Sequence, residues 1–366
     1  MTKLIWFWRD APAAGQFQSG VCLHGHTMHS EECLSFLPRV LNHVPGLGRV
    51  AAQYQRNGVD FAQAYWTPPL TPCDAIHLES RQILDLRLLP LISITDHDNI
   101  EAGVALQATG DCRTTPVSIE WTVPFERTIL HLGVHNIPRA VQASWFASMS
   151  AYTKRPATRV LLTLLSEFAA QPGVLLVLNH PFWLEEGVTQ ADHDYSLPVF
   201  LRSCAHWIHA FELNGTRPWR ENAATLELAR AHSRPVVSGG DRHGCEPAAC
   251  LNLTNARTFG EFASEVRDGQ SVVVVMPQYR ESMAVRLFAA AWDVLRPYPE
   301  YAGRIRWADR CFYRGEDGVA RPLSQIWQEH PPWILNPVAG LIQFMASAPV
   351  RPALRFVFGA RAEVLP

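Results

Sequence analysis

The amino-acid sequence predicts an α/β fold whose parallel strands close into a (β/α) barrel. Three observations carry that expectation. Apolar runs of strand length recur along the chain, helical patterns lie between several of them, and the runs end in clusters of ionisable residues. The runs are rich in Val, Ile and Leu and lack clean polar alternation, as expected for strands covered on both faces.

In chain order, VCL leads to His24-Gly25-His26, LISIT to Asp96-His97, PVSI to Glu120 and TIL to His131. VLLVL then leads to Asn179-His180, HAF to Glu212, and PVVSGG to Asp241-Arg242-His243. A helix around residues 75–88 would feed the LISIT strand. Residues 157–170 set Leu161, Leu164, Leu165 and Phe168 on one helical face, with Gly173 as a stop. Residues 219–232 read as another helix, ended before Pro235. Thr258-Phe259-Gly260-Glu261 fits a capping box, with Phe262 and Val266 on one face and Gly269 closing. An open doubly wound sheet would gather polar residues from few strand ends at one switch point. Here six or seven ends contribute, which favours the barrel.

Two segments break the alternation. Residues 37–73 hold Pro38, Pro45, Gly46, Gly48, Pro68, Pro69 and Pro72, and read as an insertion into a catalytic barrel spanning residues 1–276. Its aromatic residues Tyr54, Phe61, Tyr65 and Trp66 suit a cover over a small substrate. Residues 277–366, rich in Trp, Arg and Pro, read as a helical C-terminal extension.

Composition narrows the function classes. The chain has 366 residues, 48% hydrophobic and 18% charged, which is the opposite of a disordered composition. Net charge is -2 and the pI about 6.7, so no dominant basic surface for nucleic acid or an anionic membrane is expected. The start, MTKLIWFWRD, meets Arg9 and Asp10 too early for a secretory signal, and no run reaches a membrane span. The eight cysteines form no CxxC pair and read as reduced thiols in a cytoplasmic protein. The 15 histidines are the distinctive count, and many sit beside Asp, Glu or Asn.

An H-x-H leaving a strand puts both imidazoles on one side, because side chains alternate with period two. His24 and His26 can therefore chelate one ion, and Asp241-x-His243 repeats the geometry. With Asp96-His97, Glu120 and Asn179-His180 they make a set of N and O donors suited to borderline divalent metals.

Six motifs in order, LHGHTMHSE, ITDHDNIEAG, SIEWT, HLGV, LNHPFW and SGGDRHG, resemble those of the PHP (polymerase and histidinol phosphatase) superfamily. The resemblance runs from about residue 20 to about residue 275. It implies a metal-dependent phosphoesterase on a distorted seven-stranded (β/α) barrel, holding two to three divalent transition metals, Mn, Fe or Zn. It further implies nine ligands. His24, His26, Glu120 and Asp241 would hold the first metal, and Glu120 would bridge to a second held by His131 and His180. Glu31, His97 and His243 would hold the third. The family usually has Asp or His where Glu31 stands, and His135 lies on the same strand face as His131 and could replace it.

The resemblance thus implies hydrolysis of a small phosphate ester, a nucleotide or metabolite phosphate, by attack of metal-bound hydroxide. His24, His26, Glu120 and Asp241 would form the catalytic set, with Asp96 orienting them from behind. Arg217 and Arg220 could reach the phosphate. Trp121 and Trp183 follow metal motifs, and barrel packing is the simpler role for both. Arg242, between two inward ligands, should point away from the metals. His43, His77, His193, His206, His209, His232 and His330 are assigned nothing. The competing reading is a 5′–3′ exonuclease on RNA or DNA, with Arg304, Arg306, Arg310 and Arg314, interleaved with Trp307, Phe312 and Tyr313, as its only candidate surface; a solvated helix face explains those arginines equally well. A third is a metal-stabilised interaction module without catalysis. A nearly complete ligand set favours the enzyme, and the net charge favours a small substrate over a polymer.

Overall fold

The Val- and Leu-rich runs become strands in the computed structural model, which describes residues 2–35, 42, 47–56, 60–109, 112–315, 317–327, 335–359 and 365. In chain order these are β1 (Lys3–Trp6), β2 (Ser19–Cys22), β3 (Glu32–Cys33), β4 (Ala64–Trp66), β5 (Leu89–Ile92), β6 (Ile119–Phe125) and β7 (Thr128–His135). Then follow β8 (Leu175–Asn179), β9 (Ala210–Asn214), β10 (Val236–Gly239), β11 (Cys250–Thr254), β12 (Val272–Val275), β13 (Cys311–Arg314) and β14 (Ala320–Pro322). The chain divides into two compact units. Met1–His29, Leu70–Arg280 and Glu363–Pro366 form the first; Ser30–Pro69 and Glu281–Ala362 form the second.

The first unit carries two five-stranded sheets, ordered β1-β12-β11-β2-β5 and β10-β9-β8-β7-β6. Pairs β2–β5, β8–β9, β9–β10 and β1–β12 are parallel. Pairs β6–β7, β7–β8, β11–β12 and β11–β2 are antiparallel, which corrects the expectation of a purely parallel sheet. The reason is local. Only Glu126 and Arg127 separate β6 from β7, and Glu126 adopts φ 51, so a tight turn reverses the chain where a parallel crossover needs about a dozen residues.

The strands therefore do not form one seven-stranded ladder. Short links tie the two sheets instead. Past β5, parallel bridges join Ile94 to Val117 and His97 to Glu120, and past β2 a third joins Gly25 to Arg242. Asn252 on β11 donates from Nδ2 to the carbonyls of Val21 and Ser238 and accepts from the Ser238 amide, which stitches β2 to β10.

The helices follow the apolar periodicity. Thr158–Ala169 buries Leu161, Leu164, Leu165 and Phe168. Thr71 caps Pro72–Asp85, and the Thr258–Glu261 capping box closes on Phe259–Arg267. Trp121 is wholly buried, packs on Tyr152 and donates its indole N–H to the Met149 carbonyl, so its role is packing.

In the second unit the two out-of-pattern segments share a sheet. β4 comes from the first, β13 and β14 from the second, and β3 from just ahead of the first, in the order β14-β13-β4-β3, all antiparallel. The C-terminal extension is thus not wholly helical. Met283–Leu295, Leu335–Ala346 and Arg351–Gly359 are helices, but the aromatic-arginine stretch forms a hairpin. Its turn contains Gly318 at φ 74, a conformation glycine adopts without strain. Tyr65 stacks on Phe312 with ring centroids 5.2 Å apart.

The four arginines offered as a nucleic-acid surface are all engaged. Arg304 donates to Thr67 Oγ1, Arg306 pairs with Asp309, and Arg314 pairs with Glu31. Arg310 is buried and donates to the carbonyls of Val294, Arg296, Arg304 and Ile305. Pro38, His43, Pro45, Gly46, His330 and the Tyr54 side chain lie outside the described residues. Among the described residues no helix is long and apolar enough to cross a membrane.

Candidate metal centre

His24 and His26 leave β2 two residues apart, so their rings fall on one side and bring their Nε2 atoms to 3.1 Å. Glu120, at the start of β6, lies between them and the neighbouring strands. Its Oε1 sits 2.9 Å from His180 Nε2 and 3.5 Å from His131 Nδ1, and accepts from Asn179 Nδ2 at 3.0 Å. Its Oε2 sits 2.9 Å from His24 Nε2 and 3.4 Å from both His26 Nε2 and His97 Nδ1. One carboxylate thus faces five imidazoles.

Asp241, just past β10, is the second hub. Oδ1 lies 3.4 Å from His243 Nδ1 and 3.5 Å from His26 Nε2. Oδ2 accepts from Thr216 Oγ1 at 2.8 Å and Asn214 Nδ2 at 3.2 Å, and lies 3.3 Å from Arg217 Nη2.

Among the groups drawn wholly from the first unit, three have ligand atoms within 4.8 Å of one another: His24, His26 and Asp241; His24, Glu120 and His180; His97, Glu120 and His131. His26 also stacks on His243 and His97, with centroids 4.1 and 4.7 Å away. Eight of the nine expected ligands therefore converge in the first unit.

Glu31 is not among them. It belongs to the second unit, half-exposed, where both carboxylate oxygens accept from Arg314 at 3.0 and 3.1 Å. Arg220 likewise has no contact with these groups among the described residues. It stands in the first turn of the helix Trp219–Ala231, 81% exposed, with its nearest ion partner Glu221 at 3.8 Å. Arg217, ahead of that helix, does reach the site, stacked 3.6 Å over the Trp183 ring.

The other assignments separate cleanly. His135 bonds Ser93 Oγ at 2.9 Å and joins no ligand group, whereas His131 does. Asp96 accepts from the Thr27 amide at 2.5 Å and the Thr27 hydroxyl at 2.8 Å, fixing the turn that carries His26. Arg242 turns away from the ligands to Glu79, 2.9 Å distant and buried.

The strand pattern marks Glu212 on β9 but assigns it no role, yet its carboxylate meets His24 Nδ1 at 2.5 Å. Its sequence signal was its place at the end of the HAF run, in the same position as the ligands on other strands. The adjoining Gly239 leaves room for it: a Cβ there would stand 1.6 Å from Glu212 Oε1.

Charge and burial oppose each other throughout. Burial alone would raise the Glu120 carboxyl, but His24, His97, His131 and His180 hold it well below the usual range. Asp241 is likewise held low, against burial, by His26, His24, His243 and Arg217. Burial would depress His24, yet Glu120 and Glu212 raise it well above its ordinary value. His131 is pushed down to about 4, chiefly by burial.

These residues fit divalent cations. His131 Nδ1 is buried without a hydrogen-bond donor or acceptor to satisfy it, and faces Glu120. Clustered imidazoles and buried carboxylates are the donors that borderline divalent ions take. Two of the candidate ligands also sit in the left-handed region, His180 at φ 24 and Asp241 at φ 48, which costs non-glycine residues about 1–3 kcal/mol each. Such strain aims both side chains inward from strand ends.

No family model matches the chain, and no curated protein matches it. Three solved structures are similar to parts of it. PsfC from Pseudomonas syringae is 16% identical, covering 57% of this chain and 83% of its own, with a TM-score of 0.37. A Bifidobacterium adolescentis protein, provisionally assigned as a metal-dependent phosphoesterase, is 15% identical over 55% of this chain and 92% of its own, with a TM-score of 0.34. An amidohydrolase from Chromobacterium violaceum, with bound sulfate and no metal, is 13% identical over 67% of this chain and 96% of its own, with a TM-score of 0.38.

Proposed function

We propose that the chain is a metal-dependent phosphoesterase of PHP type that hydrolyses a small phosphate ester. The observation that carries this reading is Glu120, wholly buried and facing five imidazoles across three interlocking ligand groups. A buried carboxylate so surrounded is costly unless cations share it. The six ordered motifs support the family, and the bridges that tie both edges of the β10–β6 sheet to β2 and β5 support a distorted barrel.

His24, His26 and Asp241 would hold one ion, Glu120 and His180 a second, and His97, Glu120 and His131 a third, with His243 beside His26 and His97. Divalent ions there lower the pKa of water toward neutrality and stabilise charge on a phosphoryl group. The chain's own residues set the rest. Asp96 fixes the turn bearing His26, Glu120 spaces the ligand groups, and Asp241 holds Arg217 in place. Arg217, braced between Asp241 and the Trp183 ring, presents its remaining N–H groups to an ester oxygen. The intramolecular pairing of Arg304, Arg306, Arg310 and Arg314 supports a small substrate over a polymer. The test is a screen of metal-loaded protein against mononucleotides, sugar phosphates, histidinol phosphate and short 5′-phosphorylated oligonucleotides. Turnover of none of them, with metal bound, would overturn the reading.

A further inference from the structure

A carboxylate outside the ligand groups contacts two candidate ligands, His24 and His180, at once. Glu212 Oε1 meets His24 Nδ1 at 2.5 Å, on the ring edge opposite the nitrogen that faces Glu120. Glu212 Oε2 accepts from the His180 backbone amide at 2.9 Å and from Asn214 Nδ2 at 2.9 Å. The Asn214 amide cannot turn round, because its Oδ1 already accepts from the amide and hydroxyl of Thr216. Glu212 itself is 2% exposed, and Gly239 makes the space it fills.

We propose that Glu212 is the positioning residue of the metal centre, setting the His24 tautomer with one oxygen and the left-handed His180 backbone with the other. An imidazole that donates Nδ1–H to a carboxylate must present its Nε2 lone pair on the opposite side, where the ions would sit. The same carboxylate anchors the strained residue that aims the His180 ring at Glu120. Two ion sites are thereby registered to one side chain. The inference rests on the metal reading above.

Both Glu212 oxygens act only as acceptors, which makes Glu212→Gln a sharp probe. Its NH2 must face either His24, forcing the tautomer that blocks Nε2, or the two donors at His180 and Asn214. Zn2+ affinity measured by chelator competition, and the visible spectrum of Co2+ bound in its place, read the effect without any substrate. Glu212→Gln should weaken Zn2+ binding by about 10- to 100-fold and shift the Co2+ bands. Asn214→Ala, which leaves every charge in place, should weaken it by roughly threefold or more. Zn2+ affinity and Co2+ spectra that match the parent in Glu212→Gln overturn the proposal. If Glu212→Gln does not fold by circular dichroism, an unchanged affinity in Asn214→Ala overturns it instead. A parent protein that binds neither ion sinks the metal reading itself, a result distinguishable from either.

Discussion

Replacing Glu120 by Gln keeps the shape of the side chain and removes the charge on which the centre turns. That carboxylate is 0% exposed and lies between 2.9 and 3.5 Å from His24, His26, His97, His131 and His180. Removing one member of a buried charged pair costs about 3–5 kcal/mol. At about 1.4 kcal/mol per decade, even the lower figure is roughly a hundredfold. Glu31 offers the internal comparison, because its carboxylate is spent on a half-exposed pair with Arg314. Such surface pairs contribute about 0–1 kcal/mol, so Glu31→Gln should change little, by less than about fivefold. Elemental analysis for bound metal and kcat/KM on a chromogenic phosphate monoester, both variants side by side, make the assay. Glu120→Gln within fivefold of the parent in both, or Glu31→Gln falling as far as Glu120→Gln, would refute the assignment of Glu120 as the hub.

The protein as purified should carry two to three equivalents of Mn, Fe or Zn by elemental analysis, and chelators should lower its thermal stability; metal-free protein indifferent to chelator contradicts this. His135 and His209 are pushed by burial down to about 3, from an ordinary 6.5. The unfolded chain protonates them first, so their contribution is full above about pH 6.5 and is lost as pH falls toward 3, at up to about 1.4 kcal/mol per pH unit each. Urea unfolding at pH 7 and pH 5 should therefore show a shallower acid loss in His209→Gln than in the parent; equal slopes count against it. Arg217→Ala should raise KM for a small phosphate ester about tenfold or more with a lesser effect on kcat, and unchanged KM removes Arg217 from the site. For the parent, kcat/KM should favour a mononucleotide or sugar phosphate over a 5′-phosphorylated oligonucleotide at physiological salt. A tenfold preference for the oligonucleotide, abolished by alanine at Arg304, Arg306 and Arg310, would move the reading to an exonuclease.

The candidate ligands legible in the sequence are those tied to strands. H-x-H and D-x-H leave their strands with period-two geometry, so His24, His26, Asp241 and His243 could be read as same-side pairs. His97, Glu120, His131 and His180 follow apolar runs, although Glu120 begins β6 and His131 lies within β7. Glu31 lies in a non-repetitive loop, where spacing carries no information about direction, and its partner Arg314 is far along the chain. Arg220 stands in the exposed first turn of the helix Trp219–Ala231, whereas Arg217 lies in the loop ahead of it, a difference that proximity in sequence does not show. Glu212 reads as a lone carboxylate, since no second His, Asp or Glu at i±2 marks it as Asp241 and His243 mark each other. The antiparallel β6–β7 pair came from a two-residue turn without glycine, which periodicity does not report. Nor does local pattern show that β4 will pair with β13.

That last pairing bears on how the protein is made. Thr67 and Arg310, joined by a backbone hydrogen bond, are 243 residues apart, and β1 likewise waits for β12. At synthesis rates of about 5–20 residues per second, the ribosome leaves β4 without its partner for roughly 10–50 s. During that interval a short strand bearing Tyr65 and Trp66 offers an open edge to other nascent chains. A chaperone-dependent yield is the expected result, with losses that grow as translation is slowed. Moving the β13–β14 hairpin next to β4 by circular permutation should relieve it.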